Sequence, residues 1–109
     1  MGSFTVSRVA TGKKNFFRLE IFGSKGSLAF NLERLNELEY FSLQNDPLFR
    51  GNGNIIVTDP SHPYMNSWWP PGHVLGWEHA FIHQVKELME GIAENKPVSP
   101  DFRDGLKCQ

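Results

Sequence analysis

Through much of the first half of the chain, apolar and polar side chains alternate with a period of two. In Asn15–Phe22 one face carries Phe17, Leu19 and Ile21, and the other carries Phe16, Arg18, Glu20 and Phe22. Ser27–Leu32 sets Leu28, Phe30 and Leu32 against Ser27, Ala29 and Asn31. Successive side chains on a strand point to opposite faces, so each stretch predicts a strand with one buried face. Glu37–Leu43 and Asn54–Thr58 predict two more. Thr11-Gly12-Lys13-Lys14 and Gly23-Ser24-Lys25-Gly26 read as tight turns, and such short connections imply antiparallel hairpins. The expected fold class is α+β, built on an open-faced antiparallel meander of about five strands within residues 3–58.

The period then breaks. Asp59–Pro71 holds four prolines and no usable repeat, which predicts an extended crossing loop reaching to residue 76. A loop of that length in a compact domain is usually functional or docked. Beyond it Trp77, Phe81, Val85, Leu88 and Ile92 form a one-sided stripe, the mark of a long helix over 77–95 packed on one face of the sheet. Gly91 is expected to weaken its last turn, and Asn95-Lys96-Pro97 to end it. Ser99-Pro100-Asp101 reads as the cap and first turn of a second helix over 100–109, cut short at Gln109.

Composition narrows the function classes. At 109 residues the chain is read as one domain, 1–109, with room for a modest core. Net charge is −1, without a basic or acidic run, so neither nucleic acid nor a membrane surface is an expected partner. No apolar stretch approaches the roughly 18 residues of a membrane-spanning helix. Cys108 is the single cysteine, which suits a reducing, cytoplasmic setting.

Candidate chemistry gathers in Trp68–Gln84, WWPPGHVLGWEHAFIHQ, which holds all three tryptophans and three of the four histidines. His79 and His83 are one helical turn apart, about 5–6 Å at Cβ. Such a pair can chelate zinc, hydrogen-bond loop backbone or contact a substrate. The familiar protease pattern needs a Glu directly after the first His, and here that position is Ala80, so no metal site is assigned. Trp68-Trp69-Pro70-Pro71 could stack a sugar ring or form a stiff apolar lid. Glu33, Glu37 and Glu39 are read most simply as a solvated carboxylate cluster. No nucleophile motif is present, and Gly23-Ser24-Lys25-Gly26 lacks the βαβ setting of a dinucleotide fingerprint.

Several stretches together carry a family resemblance: Ser7-Arg8-Val9-Ala10-Thr11-Gly12, Leu19–Gly26 (LEIFGSKG), Glu33–Leu38 (ERLNEL), the WWPPGHxxGWEHxFxHQ stretch, and Pro100–Gly105 (PDFRDG). Over nearly the whole chain they resemble the C-terminal domain of the glucose–fructose oxidoreductase/inositol dehydrogenase (Gfo/Idh/MocA) family. The resemblance implies a sheet domain that, in full-length relatives, is paired with a Rossmann domain holding NAD or NADP. It also implies a sugar or polyol site nearby and a subunit contact through the sheet. Trp68, Trp69, His73, Trp77 and His79 would be the residues facing substrate. The family's Rossmann fingerprint, its Glu-Lys-Pro segment with the catalytic lysine, and its catalytic Asp and His have no counterpart in these residues.

The expectation is therefore a non-catalytic, isolated sheet domain, a truncated or engineered piece of such an enzyme, with no cofactor of its own. It would form a dimer or higher homo-oligomer through the sheet face bearing Phe16, Arg18, Glu20, Phe22 and Phe41. The alternative is the sugar- or polyol-binding half of an oxidoreductase, binding weakly and completed by a separate Rossmann domain.

Overall fold

A computed structural model describes all 109 residues. Four strands form the sheet: β1 (Arg18–Gly23), β2 (Gly26–Asn31), β3 (Glu37–Ser42) and β4 (Gly53–Ile56). They lie in the order β1-β2-β3-β4, each antiparallel to its neighbour. The predicted α+β meander is present, with four strands where about five were expected. The segment before β1 supplies no fifth strand. Its local order is a turn closed by the Lys13 amide donating to the Ala10 carbonyl, and it has no row of strand partners.

Directly opposed residues share a face, so the register sorts the sheet. Leu19 and Ile21 face Phe30 and Leu28, which face Leu38 and Tyr40. Ile55 extends that row opposite Leu38. This is the apolar face. The other carries Arg18, Glu20 and Phe22, then Ser27 and Ala29, then Phe41, Glu39 and Glu37. On it the Arg18 guanidinium forms a bidentate pair with Glu39, at 2.8 and 3.0 Å, and reaches Glu20 at 2.8 Å. Arg18 holds the Glu39 carboxyl below its ordinary value, chiefly through this hydrogen bonding. The carboxylates read as a solvated cluster do lie at the surface, each engaged in hydrogen bonds. Glu37 accepts from Arg34 and Asn54, and Glu33 accepts from the Lys14 and Asn15 amides.

Helix α1 spans Trp77–Glu94 and α2 spans Phe102–Cys108. Helix α1 runs through Gly91 to Glu94. Asn95 adopts the left-handed conformation and the Lys96 amide donates to the Gly91 carbonyl at 2.8 Å. A Cβ at Gly91 would run into the Val98 side chain, so the glycine lets the chain fold back over the helix end. The cap of α2 is Asp101, whose carboxylate accepts the Arg103 and Asp104 amides. Ser99, read as part of that cap, instead donates its hydroxyl to Asp104. No helix is long and apolar enough to cross a membrane.

Only Thr58 and Met65 are buried, at 1% and 3% exposure. Leu19, Ile21 and Leu28 on the apolar face stay exposed, as do Trp77, Phe81, Val85, Leu88 and Ile92 along α1. The stripe that predicted α1 is present, but within this chain it is left largely uncovered.

Gly26 is the tightest backbone contact in the sheet. A Cβ there would meet the Phe41 carbonyl oxygen, whereas one at Gly51 meets nothing within 4 Å. Gly26→Ala is expected to destabilise the fold by about 1–3 kcal/mol, as overpacking does. Gly51→Ala should stay within about 0.5 kcal/mol of the parent, as surface changes do. Urea denaturation of the two variants checks the difference.

Candidate functional site

The long proline-rich loop is docked, not free. The Asn36 side chain, just before β3, grips the Leu75 backbone from both sides. Its amide nitrogen donates to the Leu75 carbonyl and its oxygen accepts the Leu75 amide, each at 2.8 Å. Thr58 accepts the Gly72 amide on its hydroxyl at 3.0 Å. Between these ties the loop makes a short 3-10 turn at Met65–Ser67, with Met65 as its buried plug. Tyr64, entering that turn, sits at a φ of 69°, a left-handed conformation uncommon for an aromatic residue.

This anchoring presses the turn against the first half of α1. The Trp68 indole N–H donates to His83 Nε2 at 2.7 Å. Tyr64 stacks on the face of that imidazole, with ring centroids 4.4 Å apart, and donates its hydroxyl to Glu87. His79 meets the Trp68 ring edge-on at 4.5 Å. The Gly76 amide donates to His79 Nδ1 at 3.0 Å, so His79 reaches back to the helix start as the returning half of a capping box.

The histidine chemistry follows from these donors. A nitrogen that accepts an N–H carries no proton, so in neutral rings His79 is protonated at Nε2 and His83 at Nδ1. Burial, with further contributions from His79 and Lys86, pushes the His83 pKa below its ordinary value. No group of three metal-ligating side chains converges anywhere in the chain. Of the open readings for this pair, loop anchoring is what the geometry displays.

The five residues singled out in sequence do not form one cluster. Trp68 and His79 are in contact, as described. Trp69 and His73 pair separately, with centroids 6.1 Å apart, and His73 Nδ1 donates to the Pro70 carbonyl at 2.7 Å. Trp69 is 74% exposed. Trp77 turns to Phe81, edge-on at 6.0 Å. Beside Trp68 and His79 lies an open cleft of about 300 Å³. Leu35, Val57, Pro63, Met65, Leu75 and Ala80 supply its apolar walls, and Asn36, His62, Tyr64, His79 and His83 its polar ones. Sequence reading missed Tyr64, Asn36 and Thr58, because no periodicity marks residues that work through side-chain hydrogen bonds. His83 was visible only as a partner for His79.

Arg18, Glu20, Phe22 and Phe41 lie on one face of the sheet, the polar one. Phe16 precedes β1, with the Lys13 ammonium 4.1 Å above its ring.

Comparison with known proteins places this architecture. No protein-family model matches the chain. It is 36% identical over 108 residues to levoglucosan dehydrogenase of Pseudarthrobacter phenanthrenivorans, a match covering 98% of this chain and 27% of that protein. The crystal structure of an oxidoreductase domain protein from Kribbella flavida superposes with a TM-score of 0.86 at 53% identity, over 92% of this chain and 27% of that one. Levoglucosan dehydrogenase in complex with NADH and levoglucosan superposes with a TM-score of 0.85 at 36% identity, over 91% of this chain and 27% of that one. The resemblance to a Gfo/Idh/MocA C-terminal domain holds. The chain spans about a quarter of the length of these oxidoreductases.

The Trp68–His83 bond predicts a pH dependence. An imidazolium has no lone pair for the indole N–H, so protonating His83 breaks the bond. Because its folded pKa lies below the ordinary 6.5, the bond's contribution to stability is complete above about pH 6.5 and declines as the pH falls below that. In Trp68→Phe the His83 midpoint should move up toward 6.5, read by NMR titration of the imidazole signals. An unchanged midpoint would show that the indole does not hold His83 neutral.

Proposed function

We propose that this chain is the sheet domain on the substrate side of an NAD-dependent oxidoreductase acting on a sugar or polyol, and that it does not carry out the oxidation by itself. The observation that carries this reading is the superposition on levoglucosan dehydrogenase, a protein whose structure holds NADH and levoglucosan. The residues here include no glycine-rich βα turn of the kind that cradles a dinucleotide pyrophosphate. The cofactor would be held by a part of the enzyme outside these residues. The uncovered apolar face of the sheet and the stripe on α1 support such a complement, since exposed apolar area of that extent marks a surface made to be covered.

The polar face supports a second contact, with another copy of the chain. Phe22, 78% exposed, and Phe41 border the Arg18–Glu20–Glu39 ion network there. Desolvated aromatics supply the energy of such an interface, and the charges set its register. Phe22→Lys is expected to weaken self-association at least tenfold, a loss of about 1.4 kcal/mol. Sedimentation across a concentration series reads that change. A parent chain that stays monomeric at high micromolar concentration would rule the contact out.

The functional reading is tested by complementation. A levoglucosan dehydrogenase stripped of the quarter that matches this chain is mixed with the chain, and NAD reduction is followed with levoglucosan and a panel of polyols. Turnover should appear only in the mixture. If the enzyme's own quarter restores turnover and this chain does not, with any substrate of the panel, the reading fails.

A further inference from the structure

We infer that the cleft between the Met65–Ser67 turn, the start of α1 and the Asn36 end of the sheet is a binding site for a small, uncharged, oxygen-rich ring. His79 Nε2–H and His83 Nδ1–H are its two donors. This deepens the sugar or polyol reading above and rests on it for the biological setting, but the chemistry comes from the cleft.

The first step is the protonation pattern. The Gly76 amide occupies His79 Nδ1 and the Trp68 indole occupies His83 Nε2. Each ring therefore retains one N–H on its other nitrogen. Neither N–H has a partner within the chain, yet no unpartnered side-chain nitrogen or oxygen is buried. Both are thus open to an incoming molecule, and both residues line the cleft. They lie one turn apart on α1, which sets the two donors on the same side of the helix.

The second step is the character of the walls. No Lys, Arg, Asp or Glu lines the cleft. An anion would find no full positive charge there, and His83 is biased toward its neutral form. A cation would find no carboxylate in the lining: Glu87 is taken by Tyr64, and Glu78 lies 3.9 Å from His79 Nδ1, the nitrogen that the Gly76 amide already occupies. Apolar side chains make up half of the lining, and the volume of about 300 Å³ is at the small end of ligand pockets. Two neutral N–H donors over apolar walls suit a molecule that presents acceptor oxygens on one edge and C–H groups on the other. A sugar, an anhydrosugar or a cyclic polyol has that form. The same reasoning moves the contact residues from Trp69, His73 and Trp77 to His79 and His83, with Trp68 and Tyr64 holding the imidazoles in place.

The test uses the 109-residue chain at pH 7.5, labelled with ¹⁵N and titrated with levoglucosan, myo-inositol and inorganic phosphate. The expected result is a saturable shift of the His79 and His83 imidazole signals with one of the two neutral rings, and none with phosphate. His83→Phe keeps a ring but removes the donor, and should bind roughly tenfold more weakly. His79→Gln offers an amide oxygen to Gly76 and an N–H to the ligand, so it should stay within about threefold of the parent. His73→Phe, outside the cleft, should bind as the parent does. Phosphate binding in preference to both rings, affinity unchanged in His83→Phe, or no saturation by either ring would overturn the inference. Complementation separates the two proposals. A His83→Phe chain that restores full turnover sinks the cleft and leaves the oxidoreductase reading intact. Ring binding without any complementation does the reverse.

Discussion

This structure depends on a mismatch between hydrogen bonding and burial. The four strands satisfy one another's backbone groups along three antiparallel ladders, and α1 satisfies its own. Net hydrogen bonding contributes only modestly to stability, because water offers the unfolded chain the same bonds. Apolar burial is the dominant favourable term, and here only Met65 is buried among the apolar residues. Leu19, Ile21 and Leu28 on the sheet, and the stripe on α1, are placed for burial and left open. A row of aliphatic side chains on one face, opposite an ion network on the other, is the signature of a sheet with a buried side and a wet or docked side. The chain supplies the buried side's surface without its cover. The chain spans about a quarter of the length of the oxidoreductases it superposes on.

Given so little core, the arrangement of sheet, loop and helix relies on a few polar side chains. Asn36 acts twice on the same peptide, as donor and as acceptor, which fixes the loop's end in both position and direction. Thr58 does the same work once, fully buried, for Gly72. Between these points the loop presents Tyr64 and Trp68 to α1, and His83 receives both. Such side-chain bonds are directional, so they can set a geometry that a half-covered apolar surface would leave loose.

Sequence periodicity revealed the parts of the fold that repeat. The alternation in Asn15–Phe22 and Ser27–Leu32 located β1 and β2, and the spacing from Trp77 to Ile92 located α1 to within a residue at each end. The sheet has four strands where about five were expected, because a turn signal at Thr11–Lys14 says nothing about whether a partner edge is available. Gly91 was legible as a cost in helix propensity but not as a requirement of close approach by Val98, which depends on where the chain goes next. The site was half legible. Histidine and tryptophan content marked the right seventeen residues, Trp68–Gln84, while Asn36, Thr58 and Tyr64 act through contacts 14 to 39 positions away that no local pattern encodes. Trp69, Trp77 and His73 share the motif with Trp68 and His79, yet the prolines and the helix turn them to other surfaces.

The hydrogen bonds of the two central histidines also bear on the oxidoreductase setting proposed above. Oxidation of an alcohol by a nicotinamide needs a group with a free lone pair to take the hydroxyl proton. The lone pair of His79 is held by the Gly76 amide and that of His83 by the Trp68 indole. Recruiting either as a base would undo the start of α1 or release the loop. What each offers without rearrangement is an N–H, which can orient an oxygen but cannot remove a proton from it. A pair fixed in this way suits binding and positioning. In the oxidoreductase proposed above, the proton acceptor and the hydride acceptor would then both lie outside these residues.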